Sequence, residues 1–238
     1  MAVISTYNPV HNRWCTSLAL AGTVAISVDF RNSYTKEGHN PFPAGLNDCA
    51  AAAQYIAAHK SDFRISKLTL QGESGGGNLA LATALKANKE GWIHSIAGVF
   101  GYVPYISYAW GWPEDRLRKE LPSCVENNGH MIGIKTSELM GHYYTPTKED
   151  STNPLAWPYH ATEEELRGLP PHRLVMDELD PLRDEGMAYY RKLVAAGVEA
   201  AAQVNLGVTH AAGLMFRQAL PEVHHAVVDS VVAFAKRV

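Results

Sequence analysis

The residues best suited to covalent chemistry lie in one short stretch, Gly72-Glu73-Ser74-Gly75-Gly76-Gly77-Asn78. The apolar Leu68-Thr69-Leu70 precedes it, and a small-residue run from Leu79 to Ala87 follows it. A strand, a tight turn with serine at its tip and then a helix is the setting of a G-x-S-x-G nucleophile elbow. A serine lifted on so sharp a turn has strained backbone angles. Side chains two residues to either side would collide, which predicts that Gly72 and Gly76 are needed for lack of a Cβ. The helix that starts just after Ser74 would aim free N–H groups and a positive dipole end at any anion formed there. A bare G-x-S-x-G recurs by chance, so its partners must carry the case.

A serine hydroxyl attacks only if a base takes its proton, and the base needs a third group to hold its tautomer. After an elbow these partners are expected in the order serine, acid, histidine, each in a loop after a later strand. His210, in Gly207-Val208-Thr209-His210, is the one histidine placed just past the last strand-like segment. The acid is less determined, because Asp177, Glu178, Asp180, Asp184 and Glu185 lie close together. Pro181 holds Asp180 extended and opens a helix, whereas Asp184 and Glu185 have an ordinary reading as dipole-favoured residues of that helix's first turns. Asp180 is therefore preferred.

The elements that must position these groups alternate in type. Val10 to Ala21 has helical spacing and stops at Gly22; Thr23 to Asp29 is a continuous apolar run that predicts a strand covered on both faces. Leu46 to His59 reads as a helix, Leu68 to Gln71 as the strand feeding Ser74, Asn78 to Lys89 as a helix and Ser95 to Phe100 as a strand. His172 to Met176 and Ala200 to Leu206 read as strands, Arg183 to Ala196 as a helix, and Glu222 to Val238 as a helix with Val223, Val227, Val231 and Phe234 on one face. This alternation predicts a mostly parallel sheet with helices on both faces. Residues 101–171 interrupt it with six tyrosines, three tryptophans and short helices at Glu114 to Leu121 and Thr136 to Tyr144. They read as an excursion over the C-terminal edge of the sheet, where such folds bind ligands. Tyr102, Tyr105, Trp110 and Trp157 are its candidate pocket walls, set against the plainer reading of aromatics as core.

Composition narrows the function classes. At 238 residues, 46% of them apolar and 19% charged, the chain suits one domain with a buried core. A net charge of −3 without a basic block gives no footing for nucleic acid, and no apolar run approaches the roughly 20 residues of a membrane span. The start, Met1 to Val10, lacks the pattern of a signal peptide. Cys15, Cys49 and Cys124 are scattered, which suits a reducing, cytoplasmic setting better than a disulfide framework. The eleven histidines form no metal-binding pattern, and His224 and His225 would point about 100° apart on a helix. Neither a metal nor an organic cofactor is expected; a homo-oligomer is left open.

Taken together, NPVHNRWCTSLA, VDFRN, PFPAG, QGESGGGNLA, ELRGLPP, ELDPLRDEG and the VTH segment resemble the hormone-sensitive-lipase-like (type IV) group of α/β-hydrolases over nearly the whole chain. The resemblance implies an α/β-hydrolase fold and a serine carboxylesterase acting on esters of short to medium acyl chains with a bulky alcohol. It assigns Ser74 as nucleophile, Asp180 as the orienting acid and His210 as base, with the N–H of Gly75 as one oxyanion donor. The family's other oxyanion donors come from an upstream H-G-G-G loop, which a methionine and a stretch like AVISTYNPVHNRWC follow directly. Met1 thus corresponds to an internal methionine, and the chain is expected to start just past that loop, N-terminally truncated. The strand leading into the loop would be missing between Thr23–Asp29 and Leu68–Gln71. Backbone groups left unpaired there would cost about 1–3 kcal/mol each if buried. Each lost oxyanion donor would cost about 10²–10³ in turnover, predicting a weak enzyme. Two other readings compete. One is an inactive fragment, which in-frame upstream H-G-G-G coding would remove; the other is a ligand-binding module like the family's hormone receptors, which need no intact triad.

Overall fold

A computed structural model describes residues 9–36 and 38–238. Met1, and with it the reading of the chain's start, lies outside the described residues. Helix α1 (Pro9–Leu20) opens on a proline, whose fixed φ and missing N–H suit a first helical position, and is followed by Gly22 at φ +95°. Then come α2 (Ala44–Ala58), β1 (Thr69–Glu73), α3 (Gly75–Lys89) and β2 (Gly98–Tyr102). The excursion carries α4 (Glu114–Glu120), α5 (Ser123–Glu126), α6 (Ile134–Tyr144) and α7 (Glu163–Leu166). Regular alternation resumes with β3 (His172–Asp177), α8 (Arg183–Ala195), β4 (Ala200–Asn205), α9 (Ala212–Met215) and α10 (Pro221–Arg237). No helix among these is long and apolar enough to cross a membrane.

The strands pair in parallel in the order β1-β2-β3-β4, with Leu70 opposite Val99, Val99 opposite His172 and Leu174 opposite Ala202. Side chains alternate between faces, as strand geometry requires. Val99, Leu174 and Met176 pack with α3 and α8, whereas Phe100, Tyr102 and Val175 pack with α1 and α10. On α10, Val227, Val231 and Phe234 are buried, three of the four residues that helical spacing put on its inner face. Burial on both faces is what a parallel sheet needs, since its crossover helices must cover it.

Two expected elements differ. Thr23 to Asp29 forms no strand: it has no ladder partner among the described residues, and Val24 and Ile26 are 52% and 38% exposed, so only one face is covered. A strand is defined by its neighbour, and no strand of the described residues lies on that side of β1. The strand expected at Ser95 to Phe100 runs instead over Gly98–Tyr102, after a 3₁₀ turn at Ile93–Ser95. Gly101 and Tyr102 therefore belong to the sheet and not to the excursion.

Candidate active site

Ser74, Asp180 and His210 follow the C-terminal ends of β1, β3 and β4, the edge where parallel α/β sheets bind ligands. Ser74 has φ 52° and ψ −119°, a conformation costly for a non-glycine residue and kept only where the surroundings impose it. Its N–H donates to the Tyr102 carbonyl at 2.9 Å, and its own carbonyl accepts from Tyr105 N at 3.1 Å and Asn78 N at 3.0 Å. The Asn78 side chain donates to the carbonyls of Tyr105 and Ala156, both at 2.9 Å, tying the elbow to the excursion. A Cβ on Gly72 would lie 2.0 Å from the Gly76 carbonyl oxygen, so that glycine is required. Gly76 is not required for the expected reason. A Cβ there meets nothing within 4 Å, because it is the backbone of Gly76 that Gly72 abuts. α3 begins at Gly75, three residues before the expected Asn78. The first N–H groups of that helix have no intrahelical acceptor and carry its positive end toward the serine.

Of the neighbouring acids, Asp180 is the one hydrogen-bonded to His210. His210 Nδ1 donates to Asp180 Oδ2 at 2.8 Å, and both residues are buried. Asp180 Oδ1 accepts from Leu182 N at 2.9 Å, and its carbonyl accepts from the Asn127 side chain. The other acids are engaged elsewhere: Asp184 by Ser123 N and Arg183, Glu178 by Gly207 N. Burial alone would depress the His210 pKa. The charge and hydrogen bond of Asp180, then the charges of Glu73 and Asp177, reverse this and raise it. Glu73, in the elbow, accepts from His11 Nε2 of α1 at 2.9 Å.

The four aromatic pocket candidates are corrected: none is more than 3% exposed, so none walls an open pocket. Tyr102 lies in the sheet core with its hydroxyl on Asp177. Tyr105, Trp110 and Trp157 pack together with Tyr144, the Tyr105 hydroxyl donating to Ser137 O and the Trp157 indole to Thr145 Oγ1. They form a packed layer under the excursion, the plainer of the two readings.

Glu185 lies in the first turn of α8, as expected, but it faces inward. It is fully buried, accepting from Ile106 N at 2.6 Å and from the Ser107 hydroxyl, and burial pushes its pKa up to about 8. Asp177 is likewise buried, with three donors, its pKa raised by burial to about 6. Neither role could be read locally, since the partners come from strands and loops far away in sequence. The three cysteines are free thiols. Among the described residues, no cluster of histidine, cysteine and acidic side chains could hold a metal ion.

Known proteins converge on the same architecture. Residues 3–214 match a family described as having the alpha/beta hydrolase fold. The chain is 30% identical to esterase LipI of Mycobacterium tuberculosis over 192 residues, 79% of this chain and 55% of that protein. It is 27% identical to carboxylesterase NlhH of the same species over 199 residues, 82% of this chain and 57% of that protein. Among solved structures, brefeldin A esterase, a bacterial homologue of human hormone-sensitive lipase, superposes with a TM-score of 0.96 at 49% identity, covering 98% of this chain and 64% of that one. Esterase Est22 superposes with a TM-score of 0.88 at 35% identity, covering 98% and 68%. The chain thus spans little more than half the length of the two mycobacterial relatives.

Proposed function

The chain belongs to the alpha/beta hydrolase fold family, and from that premise we propose that it is a serine carboxylesterase cleaving esters of short to medium acyl chains. One observation carries the reading: a buried His210–Asp180 pair, 2.8 Å apart, at the same sheet edge as a serine held at positive φ. A core histidine satisfied by packing alone would not need a buried carboxylate, and a structural serine would not need that backbone.

In this scheme Ser74 Oγ attacks the ester carbonyl as His210 Nε2 takes its proton, while Asp180 Oδ2 holds Nδ1–H and so fixes the tautomer. Charge developing on the carbonyl oxygen is met by the N–H of Gly75 and the positive end of α3. His210 then returns the proton to the departing alcohol. Water, activated by the same imidazole, adds to the acyl-enzyme and frees Ser74 and the acid. The steps draw on protein groups and water alone. Esterases among the relatives support the ester class. The preference for a bulky alcohol rests on the family resemblance.

The test is hydrolysis of p-nitrophenyl butyrate by the purified chain beside Ser74→Ala, with a series of acyl lengths. Turnover by the chain and background rates for Ser74→Ala are expected. Equal rates for the two proteins would overturn the serine mechanism, and a rate that climbs steadily to long acyl chains would overturn the length preference.

A further inference from the structure

β1 and β4 are the two ends of the four-stranded order, so at about 4.8 Å per strand the loop leaving β4 starts roughly 14 Å from the strand that carries Ser74. His210 sits in that loop, and its neighbours in sequence are drawn back across the sheet by hydrogen bonds. Over the end of β3, Leu179 N donates to the Val208 carbonyl at 2.9 Å. Ala212 N donates to Asp177 Oδ2 at 3.2 Å. Gly213 N reaches the Tyr102 hydroxyl, on the last residue of β2, at 3.0 Å. That hydroxyl in turn donates to Asp177 Oδ2 at 2.9 Å, and Asn205 holds Asp177 Oδ1 at 2.9 Å. From the other side, His224 Nδ1 of α10 donates to the Gly213 carbonyl at 2.7 Å.

These bonds bracket a strained turn. Ala211, directly after His210, has φ +55°, a left-handed conformation that costs a residue with a Cβ about 1 kcal/mol. The next two N–H groups are the ones that Asp177 and Tyr102 hold. Asp177 is a costly residue to keep for packing alone: it is wholly buried, three donors surround it, and among the described residues none of its hydrogen-bond partners is a cation. It does not bond the imidazole, which Asp180 holds.

We propose that Asp177 and Tyr102 are positioning residues for the proposed hydrolysis. They latch the strained turn after His210 over the ends of β3 and β2, and so set the imidazole that Asp180 orients. The proposal rests on the reading of His210 as base. It separates two neighbouring buried aspartates by role: Asp180 acts on the ring of His210, Asp177 on the backbone two residues after it.

Tyr102→Phe removes one oxygen and leaves the ring in the core, and Asp177→Asn keeps the shape but loses the charge. In the whole chain, with active serines counted by an alkyl fluorophosphonate, each variant is expected to lower kcat for p-nitrophenyl butyrate about 10–100-fold, the usual effect of a misplaced catalytic group. KM should stay within about twofold, since no ligand contact is changed. Wild-type kcat per counted serine in a folded Tyr102→Phe protein would overturn the proposal, and a lower count with unchanged kcat would mean mere structural support. The imidazole ¹⁵N and Nδ1–H resonances of His210 give a readout that needs no turnover. One set is expected in the wild type, and a broadened or doubled set in Tyr102→Phe with the fold intact by circular dichroism. If the wild type hydrolyses no ester, the esterase reading falls while these resonances still decide the latch; an unchanged spectrum in Tyr102→Phe overturns it.

Discussion

The two flanks of Ser74 are built differently. On the β2–β4 side lie three buried carboxylates: Asp177 accepts from Ala212 N in the histidine loop, Glu185 from Ile106 N near the serine, and Asp180 from Leu182 N and the His210 ring. On the other side, residues 23–29 have no ladder partner among the described residues, and Val24 and Ile26 face solvent. Asn32 Oδ1 and Ser33 Oγ are buried there without a partner among the described residues, and a surface pair, Arg31 with Asp48, ties that stretch to α2. The residues proposed to handle the proton are thus held by the β2–β4 side. On the oxyanion side the described residues offer the first N–H groups of α3. Orienting a base and stabilising an anion are separable tasks, and the proposed site draws them from regions that differ in hydrogen bonding.

Asp180→Asn strikes the well-ordered flank and should have the largest effect. Loss of the carboxylate lets His210 present the wrong tautomer, and kcat on p-nitrophenyl butyrate is expected to fall about 10⁴-fold with the fold intact. A loss under tenfold would mean that Asp180 merely fills space and would dissolve the contrast between the flanks. The opposite flank is probed by addition: a relative's H-G-G-G segment fused ahead of Met1 should raise kcat by about 10²–10³ for each donor that engages, with little change in KM. No gain would show that Gly75 and the α3 terminus already meet the oxyanion.

Glu185→Gln tests whether the ordered flank depends on charge. Burial raises the Glu185 pKa from 4.5 to about 8, against the hydrogen bonds from Ser107 and Ile106. The folded state therefore binds the proton more tightly than the unfolded state. The stabilisation is complete below about pH 4.5 and is lost progressively as the pH rises to about 8. Glutamine cannot ionise, so between pH 5 and pH 8 the variant should gain stability relative to wild type by at most about 1.4 kcal/mol per pH unit. Urea midpoints at several pH values measure this. Parallel curves would mean that Glu185 is neutral, or ionised, in both states.

The same contrast governs what could be read from the sequence. The elbow, the acid–base order and most of the sheet are local in origin: glycine spacing around Ser74, Pro181 after Asp180, and helical spacing on α10. Thr23 to Asp29 misled because its apolar pattern is right for a strand while pairing depends on a neighbour elsewhere. Tyr102 and Trp157 misled because composition tells that a region is aromatic but not which rings face solvent. The burial of Asp177 and Glu185 was invisible for the same reason, as their partners Tyr102 and Ile106 lie 75 and 79 residues away. The strained positive φ of Ser74, by contrast, was implied by the tight glycine-flanked turn, in which a Cβ on Gly72 would strike Gly76.

The smallest expected effect supplies the control that the comparison needs. α7 lies in the excursion, where Thr162 Oγ1 accepts from Glu165 N at 3.3 Å and Glu165 Oε2 accepts from Thr162 N at 2.9 Å, a reciprocal cap over a first turn rich in glutamates. Thr162→Ala removes one half of that cap and should cost about 1 kcal/mol. In a chain of this size that is roughly 2–4 °C in Tm. Neither residue bonds the elbow or the His210 loop, so kcat per active serine should be unchanged. If it fell as far as in Tyr102→Phe, loss of activity would follow any loosening of the fold, and the ordered flank would owe its effect to stability and not to position. If only Tm moves, the two kinds of support are distinct.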